Sequence, residues 1–357
     1  MIKVLIVDDS ITESAILKSI VESEHDMEVI GFAKNGKEAV SLTAKLKPDL
    51  ITMDIHMPVM DGFEAMNLIL RENPTPIVVI SSKISEDILN MSFKALEAGA
   101  LSVLEKPKNI SSAEFEQSRK QIVETIRSMA GIKVFKRRYN TQSISSTPQT
   151  EVVKELKKTA KLPHFEILAI GTSVGGPQVL KKILIELPHD FPIPIVIVQH
   201  MTQGFITGFT KWLNDSTPLN VKEATKGEIL EKATVYFAPD NFHFEIDREY
   251  GNLIAKLIKS PAVSGFCPSA TVLLKSVAKT CGKNAIGMLL TGMGNDGALG
   301  LLDIKKMHGH TLIQDPKSTV VFGMGGVAQS LGAVDKVLEL NDIANYLTNI
   351  TKNIGTR

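Results

Sequence analysis

Short apolar runs alternate with helix-length amphipathic stretches along this chain, in two passes separated by a single break. Strand, helix, strand in succession builds a parallel sheet with helices on both faces, so this alternation limits the possible folds severely. In the first pass the runs fall at 3–7, 27–33, 50–53, 77–80 and 101–104, with helical patterns at 10–21, 37–46, 62–71 and 85–97. The second pass has runs at 165–170, 193–199, 235–238, 285–290 and 311–313, and 242–246 with 252–258 is spaced as an antiparallel hairpin. Between the passes, Thr141-Gln142-Ser143-Ile144-Ser145-Ser146-Thr147-Pro148 is polar and carries proline, and lysines crowd in after Val153. This stretch reads as a linker with one helical segment near 152–160. The sequence therefore predicts two α/β domains, 1–130 and 163–350, joined by a linker over 131–162.

Apolar residues make up 43% of the chain, enough for two full cores. With 40 basic against 39 acidic side chains, the formal net charge is only +1. That balance argues against a nucleic-acid partner or a membrane-surface protein. No apolar stretch reaches the roughly 20 residues of a membrane span, and Met1-Ile2-Lys3-Val4-Leu5-Ile6-Val7 reads as a first strand instead of a signal peptide. The cysteines, Cys267 and Cys281, show no paired metal-ligand spacing and fit a reducing cytosol. A cytoplasmic monomer is expected.

Chemistry gathers where the strands end. In the first domain Asp8 and Asp9 follow the first strand, Asp54 the third, Ser81 and Ser82 the fourth, and Lys106 the fifth. Carboxyl ends of parallel strands meet in one crevice. Asp8, Asp9 and Asp54 there would hold a hard divalent cation, most naturally Mg²⁺, while an aspartate attacks a phosphoryl group. A single acidic strand end is usually a solvated loop; four pocket-type strand ends together are not easily dismissed.

In the second domain Ser173 sits in Gly171-Thr172-Ser173-Val174-Gly175-Gly176, between an apolar strand and a helix opened by Pro177. The glycines permit a tight turn, and the helix N-terminus aims free N–H groups at the same spot, which suits a nucleophile that must stabilise an oxyanion. His200 ends the next strand and is the candidate base. Asp296, in Thr291-Gly292-Met293-Gly294-Asn295-Asp296-Gly297, is the candidate for orienting it. The N–H groups of Met293 and Val174 are candidate oxyanion donors. A serine nucleophile of this kind needs no cofactor.

Rival readings exist. Gly292 to Gly297 also satisfies G-x-G-x-x-G after a strand, with Asp315 about 20 residues on, as a dinucleotide site requires. The second domain would then be a binding module controlled by the first. Against this, Asp296 puts a carboxylate inside the loop meant for pyrophosphate, and Ser173 and His200 are left without a role. Cys267 is a rival nucleophile, but it has no basic neighbour in sequence.

The first domain resembles the response-regulator receiver family through Val7-Asp8-Asp9-Ser10, Met53-Asp54-Ile55-His56-Met57-Pro58, Met60-Asp61-Gly62, Ser81-Ser82 and Lys106-Pro107. The resemblance implies a flavodoxin-like (βα)5 fold, Asp54 as phosphoacceptor, Asp8 and Asp9 as metal ligands, Ser82 or Ser81 as switch hydroxyl and Lys106 as phosphate partner. Receivers commonly carry an aromatic switch residue where this chain has Val103. The second domain is similar to the catalytic domain of the chemotaxis protein-glutamate methylesterases. The matching residues are Ile170-Gly171-Thr172-Ser173, Gln199-His200-Met201, Leu290-Thr291-Gly292-Met293-Gly294-Asn295-Asp296-Gly297-Ala298 and Val320-Val321-Phe322-Gly323-Met324. That likeness implies a doubly wound, mostly parallel sheet and the triad Ser173, His200 and Asp296. It further implies methylated chemoreceptors as substrates, glutamine deamidation beside ester hydrolysis, and the chemotaxis histidine kinase as phosphodonor. The family pattern has threonine where Val174 stands, His-Arg-Pro-Ser-Val-Asp where Phe266-Cys267-Pro268-Ser269-Ala270-Thr271 stands, and proline at Gly325. The receiver is expected to act as an autoinhibitory lid. Lys136, Arg137 and Arg138 in the linker either touch the receptor or form a solvated face.

Overall fold

The computed structural model describes residues 1–81, 100, 102–107, 113–132 and 164–352. Ser82, the helical pattern at 85–97, Lys136, Arg137, Arg138 and the segment 152–160 lie outside them. In the first domain β1 (Ile2–Val7), β2 (Met27–Ala33), β3 (Leu50–Met53), β4 (Ile77–Ser81) and β5 (Ser102–Glu105) form one parallel sheet in the order β2-β1-β3-β4-β5. β1, β3 and β4 are covered on both faces, which explains their nearly unbroken apolar runs. Helix starts follow capping chemistry. Asn35 Oδ1 accepts the Glu38 N–H while Glu38 reaches back to the Asn35 side-chain amide, and Asp61 accepts the Glu64 N–H at 2.8 Å. The helix Ala113–Met129 closes the domain against β1 and β4 through Ile122 and Ile126, which share a buried cluster with Val4, Ile6 and Val78.

The second domain is built on seven parallel strands in the order β14-β13-β12-β6-β7-β9-β8. These are β6 (Ile167–Thr172), β7 (Ile195–Gln199), β8 (Asn220–Glu223), β9 (Thr234–Phe237), β12 (Ala285–Leu289), β13 (His310–Gln314) and β14 (Lys336–Leu338). The hairpin β10 (His243–Glu249) with β11 (Asn252–Ile258) stands apart as an antiparallel pair. Strand order reverses between β6 and β12, and at such a reversal the loops at the carboxyl ends open a crevice. Phe191, Phe209 and Phe237 fill one face of the sheet, and Phe244, Leu273 and Leu301 the other.

Elements match the sequence reading within a few residues, with instructive shifts. The strand predicted at 165–170 starts later and runs to Thr172, because Thr172 stays in the sheet beside Gln199 and bonds the Thr291 carbonyl through its side chain. The short strands β8 and β14 escaped the pattern, since edge strands are only partly buried and lose the apolar run.

The two domains touch. Gln178 Nε2 donates to the Ala100 carbonyl at 3.0 Å, Thr202 Oγ1 donates to the Val103 carbonyl at 3.4 Å, and Ser128 meets the Met293 sulfur. Val174 packs against the receiver cluster that contains Ile126 and Met129, and Val103 against the core of the second domain.

One receiver loop residue sits in a costly conformation. Val59 has φ +72° and is 82% exposed, so a β-branched side chain occupies the left-handed region without burial to compensate. Val59→Asn should raise the stability of the receiver by about 1 kcal/mol, read as a higher midpoint of its calorimetric transition.

Candidate active site and receiver pocket

Ser173, His200 and Asp296 leave three strands that neighbour one another in the sheet: β6, β7 and β12. Asp296 is fully buried, yet it is ionised by design of its surroundings. Its Oδ1 accepts the Ser269 hydroxyl at 2.7 Å and the Thr271 N–H at 3.0 Å; its Oδ2 accepts the Ala270 N–H at 2.7 Å and His200 Nε2 at 2.9 Å. Three of these donors come from the first turn of the helix Ala270–Cys281 and its cap, where free N–H groups and the helix dipole favour an anion. Burial alone would raise the pKa of this carboxyl. The His200 hydrogen bond and charge, with the Ser269 and Thr271 donors, overcome burial and hold it at about 2.

With Nε2 donating to Asp296, His200 Nδ1 is the acceptor nitrogen, and it is buried without a hydrogen-bond partner among the described residues. Gln199, one residue earlier, ties the turn together. Its Nε2 donates to the Ser173 carbonyl at 2.9 Å and to the His200 carbonyl at 2.6 Å, joining the two chain segments at the backbone. Thr291 does the same on the other side. Its carbonyl accepts the Ser173 N–H at 3.0 Å, and its hydroxyl donates to the Val174 carbonyl at 2.9 Å while accepting the Val320 and Val321 N–H groups. Gly292 must be glycine, because a Cβ there would stand 2.9 Å from Ser173 Cβ and 2.4 Å from the Met324 sulfur. The Ser173 N–H is thus committed to Thr291, whereas the N–H groups of Val174 and Met293 have no partner among the described residues.

The glycine-rich loop at 292–297 does follow a strand and precede a helix, as the dinucleotide reading needs. Its chemistry is spoken for. Asp296 fills the loop and bonds the neighbouring helix, and Asp315 accepts the Lys317 and Ser318 N–H groups in its own turn, so the dinucleotide reading is not favoured. Burial pushes the Cys267 thiol up, the opposite of an activated nucleophile.

In the receiver, Lys106 Nζ bonds Asp54 Oδ2 at 2.7 Å and Asp8 Oδ2 at 2.8 Å, and also reaches Glu13. Burial would lower its pKa, but the hydrogen bonds that the ammonium donates to Asp54, Asp8 and Glu13 outweigh burial and hold it well above the ordinary lysine value. Asp8, Glu13 and Asp54 offer carboxylate oxygens within 4.8 Å of one another, an all-oxygen set that suits Mg²⁺. Asp9 is exposed and stands outside this group. Glu13 joins Asp8 and Asp54 around Lys106 because Ser10 caps the helix Ile11–Glu22 and turns Glu13, in its first turn, toward the ammonium. Ser81 is buried at the end of β4, where its carbonyl accepts the Lys106 N–H at 2.9 Å.

The depressed pKa of Asp296 has a sign that can be measured. Its folded value lies below the 3.8 of an unperturbed aspartate, so its stabilisation is complete above about pH 4 and is lost as pH falls toward 2. Wild type should exceed Asp296→Asn in unfolding free energy at pH 5, and that gap should narrow by about 2 kcal/mol by pH 2. Fluorescence of Trp212, the chain's single tryptophan, reports the second domain alone.

Known proteins match this architecture along its whole length. Two family models fit the chain, CheB methylesterase over residues 168–347 and response regulator receiver domain over residues 4–114. A protein-glutamate methylesterase/protein-glutamine glutaminase of Syntrophus aciditrophicus (strain SB) is 40% identical over 357 residues, 99% of this chain and 100% of that protein. A second, from Methanospirillum hungatei JF-1, is also 40% identical over 357 residues, 99% of each chain. The crystal structure of the Thermotoga maritima CheB methylesterase catalytic domain matches with a TM-score of 0.51 at 35% identity, covering 52% of this chain and 98% of that one. With a receiver ahead of a catalytic domain in the same order, this chain belongs to the CheB methylesterase family.

Proposed function

We propose that this chain is a phosphorylation-regulated serine hydrolase of bacterial chemotaxis. It removes methyl groups from glutamate methyl esters on chemoreceptors, releasing methanol, and converts receptor glutamines to glutamate. The observation that carries the mechanism is an imidazole anchored through Nε2 to an ionised, buried aspartate, with Nδ1 left as an acceptor at the sheet edge that bears Ser173.

His200 Nδ1 takes the Ser173 proton as Oγ attacks the ester carbonyl. The imidazolium that forms is stabilised by Asp296, whose other donors keep it ionised. The N–H groups of Val174 and Met293 receive the oxyanion, a role closed to the Ser173 N–H. His200 returns its proton to the methoxide leaving group, and methanol departs. Water then repeats the sequence and frees the glutamate carboxyl. With a glutamine amide the leaving group is ammonia and the steps are otherwise the same.

The receiver governs access. Asp8, Asp9 and Asp54 would hold Mg²⁺, which would screen the charge of an incoming phosphoryl group, and Glu13 adds a further carboxylate to the same pocket. Asp54 accepts that group from a histidine kinase, and Lys106 moves from its carboxylates toward the phosphate oxygens. The docked receiver sits against the residues beside Ser173 and Asp296, which supports its role as a lid. Among the described residues, no helix is long and apolar enough to cross a membrane; we place the protein in the cytoplasm beside the receptor tails.

Ser173→Ala should lower methanol release from methylated receptors by at least about a thousandfold. Near-normal turnover in that variant would exclude the mechanism. Asp54→Asn should keep the basal rate and lose the stimulation that a small phosphodonor gives the wild type, read in the same methanol assay.

A further inference from the structure

Phe266 lies flat on His200. The ring centroids are 3.7 Å apart and the planes differ by 4°. A histidine ring turns freely about its Cβ–Cγ bond unless something stops it, since that torsion has a broad energy profile. To relay a proton here, the imidazole plane must contain both the line to Asp296 and the line to the serine. A second ring stacked at contact distance blocks rotation out of that plane.

Phe266 is itself held. Val263 and Phe266 exchange two backbone hydrogen bonds of 3.0 Å across Ser264 (φ +54°) and Gly265 (φ +84°), a tight two-residue hairpin. Both ends of the surrounding loop are tied to buried His243. Its Nε2 donates to the Pro261 carbonyl at 3.0 Å, and its Nδ1 accepts the Ser269 N–H at 3.3 Å. Ser269 in turn holds Asp296. One short segment therefore braces the base through Phe266 and the acid through Ser269.

We infer that Phe266 is a positioning residue for His200: its ring fixes the imidazole plane and offers the imidazolium a π face as the serine proton is transferred. This rests on Ser173 and His200 being nucleophile and base. The effect belongs to the transition state, so it falls on kcat and leaves KM almost untouched.

The full-length chain is assayed with a small phosphodonor for methanol release, and separately for labelling by a fluorophosphonate. In the labelling step the Ser173 Oγ–P bond forms, the P–F bond breaks, fluoride leaves and the serine proton passes to His200. Phe266→Leu should lower kcat about tenfold with KM within about twofold, and should slow labelling by the same factor. Phe266→Tyr, which keeps the flat ring, should stay within about threefold of wild type in both assays. An unchanged labelling rate in Phe266→Leu, a loss confined to KM, or a tyrosine variant as impaired as the leucine variant would each overturn the inference. Labelling that persists in Ser173→Ala would instead overturn the serine reading beneath it.

Discussion

A buried negative charge organises the catalytic half of this molecule. An ionised carboxylate without partners would be too costly to keep in a protein interior, and Asp296 is tolerated only because a helix end, a hydroxyl and an imidazole all donate to it. Those partners come from distant parts of the chain, so the charge ties them together. The helix Ala270–Cys281 must begin where it does, the loop after β12 must enter the sheet edge, and His200 must turn its Nε2 inward. Removing the carboxylate would leave several buried donors unpaired at once.

Sheet topology delivers the rest. Adjacent parallel strands end at one edge, and the strand order reverses between β6 and β12, beside the turn that carries Ser173. Side chains on the strand ends then lock the backbones of the turns. Gln199 and Thr291 do this from opposite sides of Ser173, each bonding main-chain groups of more than one segment. The serine can therefore remain poised before substrate arrives, which is how preorganised sites lower a barrier.

Much of this was readable from the residues in order. Strand–helix alternation gave both parallel sheets, and the polar residues at strand ends gave Ser173, His200, Asp296, Asp54 and Lys106. What escaped was the supporting frame. Gln199 looked like the last residue of an apolar strand, and only its position before His200 hinted at more. Ala270 and Thr271 depart from a familiar pattern that Ser269 keeps, and serine after proline is also an ordinary helix start, so neither marks the N–H and hydroxyl donors to Asp296. Glu13 gave no signal, because a carboxylate in the first turn of a helix usually serves the dipole and not a pocket. Contacts of this sort depend on which segments meet in space, and sequence order does not record that.

Val103 occupies the strand position three residues before Lys106, with its carbonyl at the seam between domains. An extended chain advances about 3.3 Å per residue, so the backbone of Lys106 lies only about 10 Å along a stiff ribbon from the neighbouring domain. Over so short a span, a displacement of Lys106 has few joints in which to dissipate. Val103, compact and aliphatic, is anchored at that seam by its own main chain and packs its side chain on the second domain's core.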